Sequence, residues 1–274
     1  MYETLDYDKV VGKMRLFFKE AKGFTEVPTQ SRLSILAACE DPNTIALFNF
    51  DGVDYPLPQT GQMWLEHELL TNPDADGFFC VSTSYRNEPN PIDGRHKKIF
   101  PMFEFETKGN MKDMIKLEDE LLEFLGFERD YIHCTYEGLC ERYETEILEA
   151  EHEERMNKEI GSKIFLKEFP KRTHPFWNMN EDMTKGIFSK VDVILHGQET
   201  IGSAERSSDK EAMHYNFLNQ TDGAYANLLF SKFGKKRVMR ELDEFLSHDF
   251  FPRFGGGIGV TRMARAMKLE GLLG

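Results

Sequence analysis

The sequence predicts an α+β fold, an antiparallel sheet flanked by helices. Two observations carry that expectation. Stretches such as GFFCVSTSYR and IFPMFEFE flank a polar loop at residues 87–98. Their alternating pattern reads as paired strands, because successive residues of an extended chain face opposite sides. Other stretches, residues 7–22 and 110–126 above all, repeat apolar residues at helical spacing. With 274 residues, 40% of them hydrophobic in type and 23 of them Phe, the chain can build one large domain over residues 1–274.

Along the chain, Val10, Val11, Met14, Phe17, Phe18 and Ala21 mark one face of a first helix, stopped by Gly23. GFTEV then reads as a strand, and residues 45–58 as a hairpin turned at the Asp-Gly of FDGVD. TGQMWLEHELL opens a helix that Thr60 can cap. The paired strands and the helix at 110–126 follow, then a charged helix or pair of helices over 138–160. KIFLKEF, VDVILHG and TIGSAER read as strands, 236–247 as a helix, and GGGIG leads into the helix TRMARAMKL. No repeat, low-complexity tract or Pro/Gly/Ser linker interrupts the chain.

Composition narrows the function classes. No run of about 18 apolar residues occurs, so no membrane span is expected. The start MYETLDYDKV is acidic and lacks an apolar signal core. The four Cys, at 39, 80, 134 and 140, form no CxxC pair, so neither zinc nor a disulfide framework is indicated, and a reducing cytoplasm is the default. A net charge of −13 weighs against nucleic acid as the main partner, and the short basic runs KEFPKR and KFGKKR read as solvated faces.

The chemistry concentrates in two segments, STSYRNEP…GRHKKIFPMFEFE (82–106) and RFGGGIGVTRM (253–263). In a strand, Phe100, Glu104 and Glu106 point the same way, as do Arg86 and Glu88 on the partner strand. Arg95 and His96 ride the loop between them. Cations, an aromatic ring and carboxylates on one side suit a nucleotide and its metal. They suit a dry core badly, because buried unpaired charge is costly. A third segment, VDVILHGQETIGSAERSSD, spaces Asp192 and Glu199 seven apart, and oxygen ligands of this kind suit Mg²⁺ held partly through phosphates. By themselves these two acids read better as exposed residues flanking a turn at His196-Gly197.

The first segment resembles motif 2 of the class II aminoacyl-tRNA synthetases, and the glycine run with Arg262 resembles their motif 3. The likeness is to the aspartyl/asparaginyl/lysyl group and to its offshoot, ammonia-dependent asparagine synthetase. It runs from about residue 11 to 265 with the motifs in order. What it implies is an aminoacyl-adenylate-forming ligase that uses ATP and Mg²⁺. By the resemblance, Arg86 contacts the α-phosphate and the amino-acid carboxylate, and Glu88 supports the adenosine end. Arg95 and His96 reach the γ-phosphate, Phe100 stacks on adenine, and Gly259 and Arg262 complete the ATP site. Asp192 and Glu199 hold the metal. Thr60 and Gln62, in LPQTGQMWLE, orient the amino acid, with Glu104 beside them. Arg206 holds its side-chain carboxylate or amide, and planar bidentate recognition is what Arg does well. Where aspartate users carry a substrate-reading Lys, this chain has Leu65, the asparaginyl pattern.

Other positions depart from the family. Pro28 sits two residues early in motif 1, with Gln30 in the expected place, and a homodimer is still expected. Thr261 precedes Arg262 where an acid is usual, and Ile99 precedes Phe100 where Glu is usual. Ser203 and Ala204 replace the Gly and Ser of a G-G-S run. The family's anticodon-reading barrel would precede motif 1, which here starts almost at Met1. The resulting expectation is a single catalytic domain that activates aspartate or asparagine and passes it to an acceptor other than full tRNA, with ammonia as first candidate. Two readings stay open beside it: a truncated asparaginyl- or aspartyl-tRNA synthetase that still charges tRNA or another macromolecule, and a catalytically silent amino-acid or nucleotide sensor.

Overall fold

A computed structural model of the chain describes residues 3–30, 32–36, 44–92, 95 and 97–273. Helix α1 (Thr4–Arg15) buries Val10, Val11 and Met14, then continues as a π-helical segment, Leu16–Ala21, that carries Phe17 and Phe18 inward. The helix expected over 7–22 therefore starts earlier and changes its winding. Strand β1 (Thr25–Glu26) is followed by the hairpin of β2 (Leu47–Phe50) and β3 (Val53–Pro56), and by helix α2 (Gln62–Thr71). Gly61, not Thr60, occupies the cap position, although Thr60 Oγ1 accepts the Gln62 N–H at 3.1 Å.

The expected strand pair is β4 (Gly77–Tyr85) and β5 (Ile99–Lys108). Helix α3 (Met111–Leu125) starts at a capping box made by Asn110 and Asp113 and stops at Gly126, whose φ is 106°. Strand β6 (Ile132–Thr135), helices α4 (Tyr136–Tyr143) and α5 (Ala150–Glu159), and strand β7 (Lys163–Pro170) come next. Strands β8 (Glu181–Asp182), β9 (Ile187–Leu195) and β10 (Gln198–Arg206) precede helices α6 (Lys210–Asn219), α7 (Ala224–Phe233) and α8 (Lys235–Leu246). The chain closes with β11 (Arg253–Gly259) and α9 (Val260–Leu269). Sequence reading left β6, β8, α6 and α7 unassigned, and the glycine run proves to be a strand.

The sheet order is β1-β4-β5-β11-β10-β9-β7-β6, with β8 beside β9. Its centre is antiparallel, as expected, and its two ends, β1–β4 and β6–β7, pair in parallel. Phe79, Phe103, Phe105, Val191, Val193, Ile201, Phe254 and Ile258 point to one face, where α1, α3 and α9 cover them. On the other face, α2 packs over Phe78 and Cys80, and α4 and α5 pack over Ile164, Leu166, Phe169 and Ile194. A further apolar cluster joins α2 with α6, α7 and α8 around Trp177 and Phe217. The middle of that second face carries Glu104, Gly202, Gly255 and Gly257, and there the sheet stays open as a cleft. Among the described residues no helix is long and apolar enough to cross a membrane.

Candidate functional site

The cleft has two adjoining hollows that share Arg86, Met102, Glu199, Gly202 and Gly257. The inner one is lined by Thr60, Gln62, Glu66, Glu104 and Arg206. The outer one is lined by Glu88, Arg95, Phe100, Gly259 and Arg262. Most residues expected to meet an amino acid thus line one chamber and most expected to meet ATP line the other, with Arg86 and Glu199 on both and Asp192 on neither.

In the outer hollow, the Arg86 guanidinium lies 5.4 Å from the centre of the Phe100 ring. Strand β4 ends at Tyr85, so Arg86 and Glu88 do not share a strand face as expected. They lie just beyond it, with Arg86 held by one more ladder bond, its N–H donating to Lys98 O at 2.8 Å. Arg262 Nη1 donates to the Glu199 carbonyl at 2.6 Å and lies 3.7 Å from Glu199 Oε2. Arg95 lies against the β9–β10 turn: Nη1 donates to Gly197 O at 3.2 Å, and Nη2 is 2.6 Å from Glu153 Oε2. His96 lies outside the described residues.

Asp192 and Glu199 stand on neighbouring antiparallel strands, and Gly202 lies opposite Asp192 in the register. A Cβ on Gly202 would sit 2.9 Å from Glu199 Oε1 and 3.6 Å from Asp192 Oδ1. The two carboxylates therefore converge on a space that only glycine leaves free. Lys190 Nζ is 3.3 Å from Asp192 Oδ2. Two carboxylates fit the donor set of Mg²⁺ if phosphate oxygens supply the rest. Among the described residues no group of three His, Cys, Asp or Glu gathers as a metal cage.

The floor of the inner hollow is a buried ionic network. Glu104 accepts the Gly61 N–H at 3.0 and 2.9 Å and the Ser82 hydroxyl at 2.8 Å, and also engages Thr60 Oγ1. Gln62 Nε2 donates to Glu106 Oε2 at 2.7 Å and to Phe105 O at 2.9 Å. Arg206 spans Glu106, at 3.3 and 3.2 Å, and Glu66, at 3.6 Å. Glu66 Oε2 also takes Arg253 Nε at 3.0 Å and Nη2 at 2.8 Å, while its Oε1 takes Asn178 Nδ2 at 2.6 Å. Burial pushes the Glu106 carboxyl up to about 7, with Arg206 opposing and Glu66 reinforcing. The glycine run makes room for this network, since a Cβ on Gly255 would overlap Glu106 Oε2 and the Phe105 carbonyl.

Thr60, Gln62 and Arg206 are therefore not open hands waiting for a ligand. Each is already engaged by a carboxylate behind the cleft wall, because a buried charge without a partner is costly. Leu65 does not line the cleft at all: it is fully buried with Leu69, Phe78 and Cys80, and its neighbour Glu66 faces the hollow. Sequence reading noted Glu66 after Leu65 but gave it no role, and missed Asn178, Arg253 and Glu153. Glu66 was findable, because it lies four residues after Gln62 and so on the same helix face. Arg253 and Glu153 carry no local signal. Ser203, in place of the family glycine, donates to Glu118 of α3 on the covered face, and burial pushes that carboxyl up to about 8.

An antiparallel sheet of this order, with an Arg86–Phe100 chamber joined to a carboxylate-lined one, defines the catalytic core of a class II synthetase. The sequence profile of the class II tRNA synthetases (D, K and N) matches residues 5–270, and the chain belongs to that family. Similar solved structures agree in fold. An asparaginyl-tRNA synthetase from Pyrococcus horikoshii, complexed with asparaginyl-adenylate, superposes with TM-score 0.77 at 18% identity, over 96% of this chain and 64% of that one. The Entamoeba histolytica asparaginyl-tRNA synthetase in complex with asparaginyl-adenylate gives 0.74 at 17%, over 97% and 63%. The Entamoeba histolytica aspartyl-tRNA synthetase gives 0.70 at 17%, over 96% and 54%. The chain thus spans less than two thirds of each of these relatives. The comparison with curated protein sequences gives no match.

Proposed function

We propose that the chain is an AMP-forming ligase that activates a small amino acid with ATP. The observation that carries this is the sharing of Arg86 between the two hollows. A cation at that junction meets both the carboxylate that attacks and the α-phosphate that is attacked, where negative charge builds in the transition state. In this reading the amino-acid carboxylate oxygen attacks the α-phosphorus, and pyrophosphate departs toward Arg95 and Arg262. Phe100 and Arg262 hold the adenine end and the phosphate tail. Asp192 and Glu199 would hold Mg²⁺, which supplies charge neutralisation to the β- and γ-phosphates.

For the substrate we favour a side-chain amide, as in asparagine, over a carboxylate. Arg206 is already compensated by Glu106 and Glu66, so a third carboxylate on it would add repulsion. An amide can accept from Arg206 and donate to Glu66, which suits both groups. As acceptor we propose a molecule other than full tRNA; ammonia is the first candidate for the aspartate version, where it would turn an activated carboxyl into an amide, and the preference for an amide substrate weakens that version. Support for an acceptor other than tRNA comes from the net charge of −13, which opposes a polyanion. We propose a homodimer as the assembly. The hairpin β2–β3 exposes Phe48 and Phe50 at 40% and 69%, an apolar edge that association would cover.

The test is amino-acid-dependent pyrophosphate release from Mg·ATP, screened over the twenty amino acids with and without ammonium and tRNA, with products read by mass spectrometry. Release with asparagine or aspartate supports the ligase. Retained ATP binding with no release from any mixture overturns it in favour of a silent sensor.

A further inference from the structure

Glu153 is on α5, outside all three segments that the sequence singled out. Its single oxygen Oε2 does two things. It lies 2.6 Å from Arg95 Nη2, and it accepts the Glu199 N–H at 2.6 Å. Arg95 comes from the loop between β4 and β5, and Glu199 is the second residue of β10. Glu153 is thus the point where a phosphate-facing loop and a metal-facing strand meet. The ion pair is sheltered, with side-chain exposures of 9% for Arg95 and 17% for Glu153. Solvent therefore screens it less than a surface pair.

Helix α5 is itself held firmly against that corner. The turn joining β9 and β10 has φ of 49° at His196 and 75° at Gly197, the two positive values of a tight hairpin turn. At Gly197 an added Cβ would come within 3.3 Å of Glu153 O and Glu154 Cα. The helix backbone and the turn are therefore in direct contact, and Glu153 is fixed relative to β10. Arg95 donates to Gly197 O in the same turn, at 3.2 Å, and still lines the outer hollow.

Resting on the adenylation reading above, we propose that Glu153 is a positioning residue for the polyphosphate end of ATP. It anchors Arg95 over the β- and γ-phosphates and sets the backbone of Glu199 at the same time. It touches no substrate, and it acts through Arg95. A guanidinium fixed in advance loses less freedom on binding the phosphate tail than one on an untethered loop.

The experiment separates the tail from the rest of the nucleotide by measuring Mg·ATP and AMP affinities, by calorimetry, for the whole chain and its variants. Glu153→Gln keeps an oxygen for the Glu199 N–H but loses the charge that holds Arg95. It is expected to weaken ATP about tenfold, the size of one charge-assisted contact, while leaving AMP unchanged. Glu153→Asp, which keeps the charge, is expected to recover part of the loss. Arg95→Gln should show the same ATP-selective loss, and Glu153→Gln combined with Arg95→Gln should lose no more than Arg95→Gln alone. Equal weakening of ATP and AMP, no change, additive losses, or tighter ATP binding would each overturn the proposal. Unaltered AMP binding shows that a variant is folded. If Glu153→Gln does not fold, the Asp variant carries the test alone: full ATP weakening with the charge retained, or none, decides against the proposal. Failure of the wild-type chain to bind Mg·ATP would instead sink the adenylation reading on which this one stands.

Discussion

Arg206 Nη2 lies 3.2 Å from Glu106 Oε2, with both side chains buried beneath the inner hollow and Glu66 drawn to the same guanidinium at 3.6 Å. One cation thus stands between two carboxylates. Burial, with Glu66 adding to it, raises the Glu106 carboxyl to about 7 against the pull of Arg206. Protonation of Glu106 then changes what Arg206 offers a ligand. Below about 7 Glu106 is neutral and Arg206 can meet a ligand carboxylate. Above it the site is more negative. The KM for aspartate relative to asparagine is expected to rise several-fold from about pH 6 to about pH 8. A flat ratio across that window would remove Glu106 from side-chain recognition.

Glu118 gives a stability prediction. Burial raises its carboxyl from the ordinary 4.5 to about 8, opposed by the Ser203 hydrogen bond, and its Oε2 makes no hydrogen bond within the described residues. A folded pKa above the unfolded one means that the folded chain binds the extra proton. That contribution is complete below the ordinary value and is lost as pH rises through about 8. The melting temperature of the wild type is therefore expected to fall more steeply than that of Glu118→Gln between about pH 5 and about pH 8, and in parallel with it above about pH 9. Parallel curves for the two proteins would assign the titration elsewhere.

Gly255→Ala and Gly202→Ala should fail differently. The first places a methyl into Glu106 Oε2 and the Phe105 carbonyl, so a loss of about 1–3 kcal/mol in denaturant unfolding is expected, with activity. The second places it 2.9 Å from Glu199 Oε1, at the end of a side chain that can move. Here the fold should survive and the Mg²⁺ concentration needed for pyrophosphate release should rise. An unchanged Mg²⁺ requirement would count against metal binding at this pair.

Arg253 is fully buried and donates twice to Glu66 Oε2. Arg253→Met leaves that acid short of its main partner and is expected to cost about 3–5 kcal/mol of stability. Adding Glu66→Gln should restore much of it, since the stranded charge is then gone. If the double variant is no more stable than the single one, the pair is not what holds this corner.

Arg86→Ala should reduce amino-acid-dependent pyrophosphate release by at least about 100-fold with the melting temperature retained, because its contact is needed mainly in the transition state. Near-normal turnover would remove the central claim about the shared junction.

Much of this arrangement was legible in the chain. Phe100, Glu104 and Glu106 alternate with Phe103 and Phe105, and the structure puts Phe100 and Glu104 on the cleft walls, Glu106 buried beneath them and the two Phe in the core. Period-two patterning carries that information locally. Helices α6 and α7 were not legible, because their apolar residues belong to a cluster with α2 and α8 rather than to one regular stripe. Nor was β11, since three successive glycines have no strand preference of their own. They are strand because β5 and β10 pair with them on both sides.

By itself, the sequence determined the α+β class and the family, because motif order and alternation are local properties of the chain. Tertiary structure alone decided which partners the side chains of the cleft have. It seated Arg206 between Glu106 and Glu66, tied Arg95 to Glu153, and turned Leu65 into the core while Glu66 faced the hollow. The physical reason is that a buried charge takes whichever opposite charge the packed elements bring within reach, and these pairs join residues about 60 to 140 positions apart that no local pattern connects.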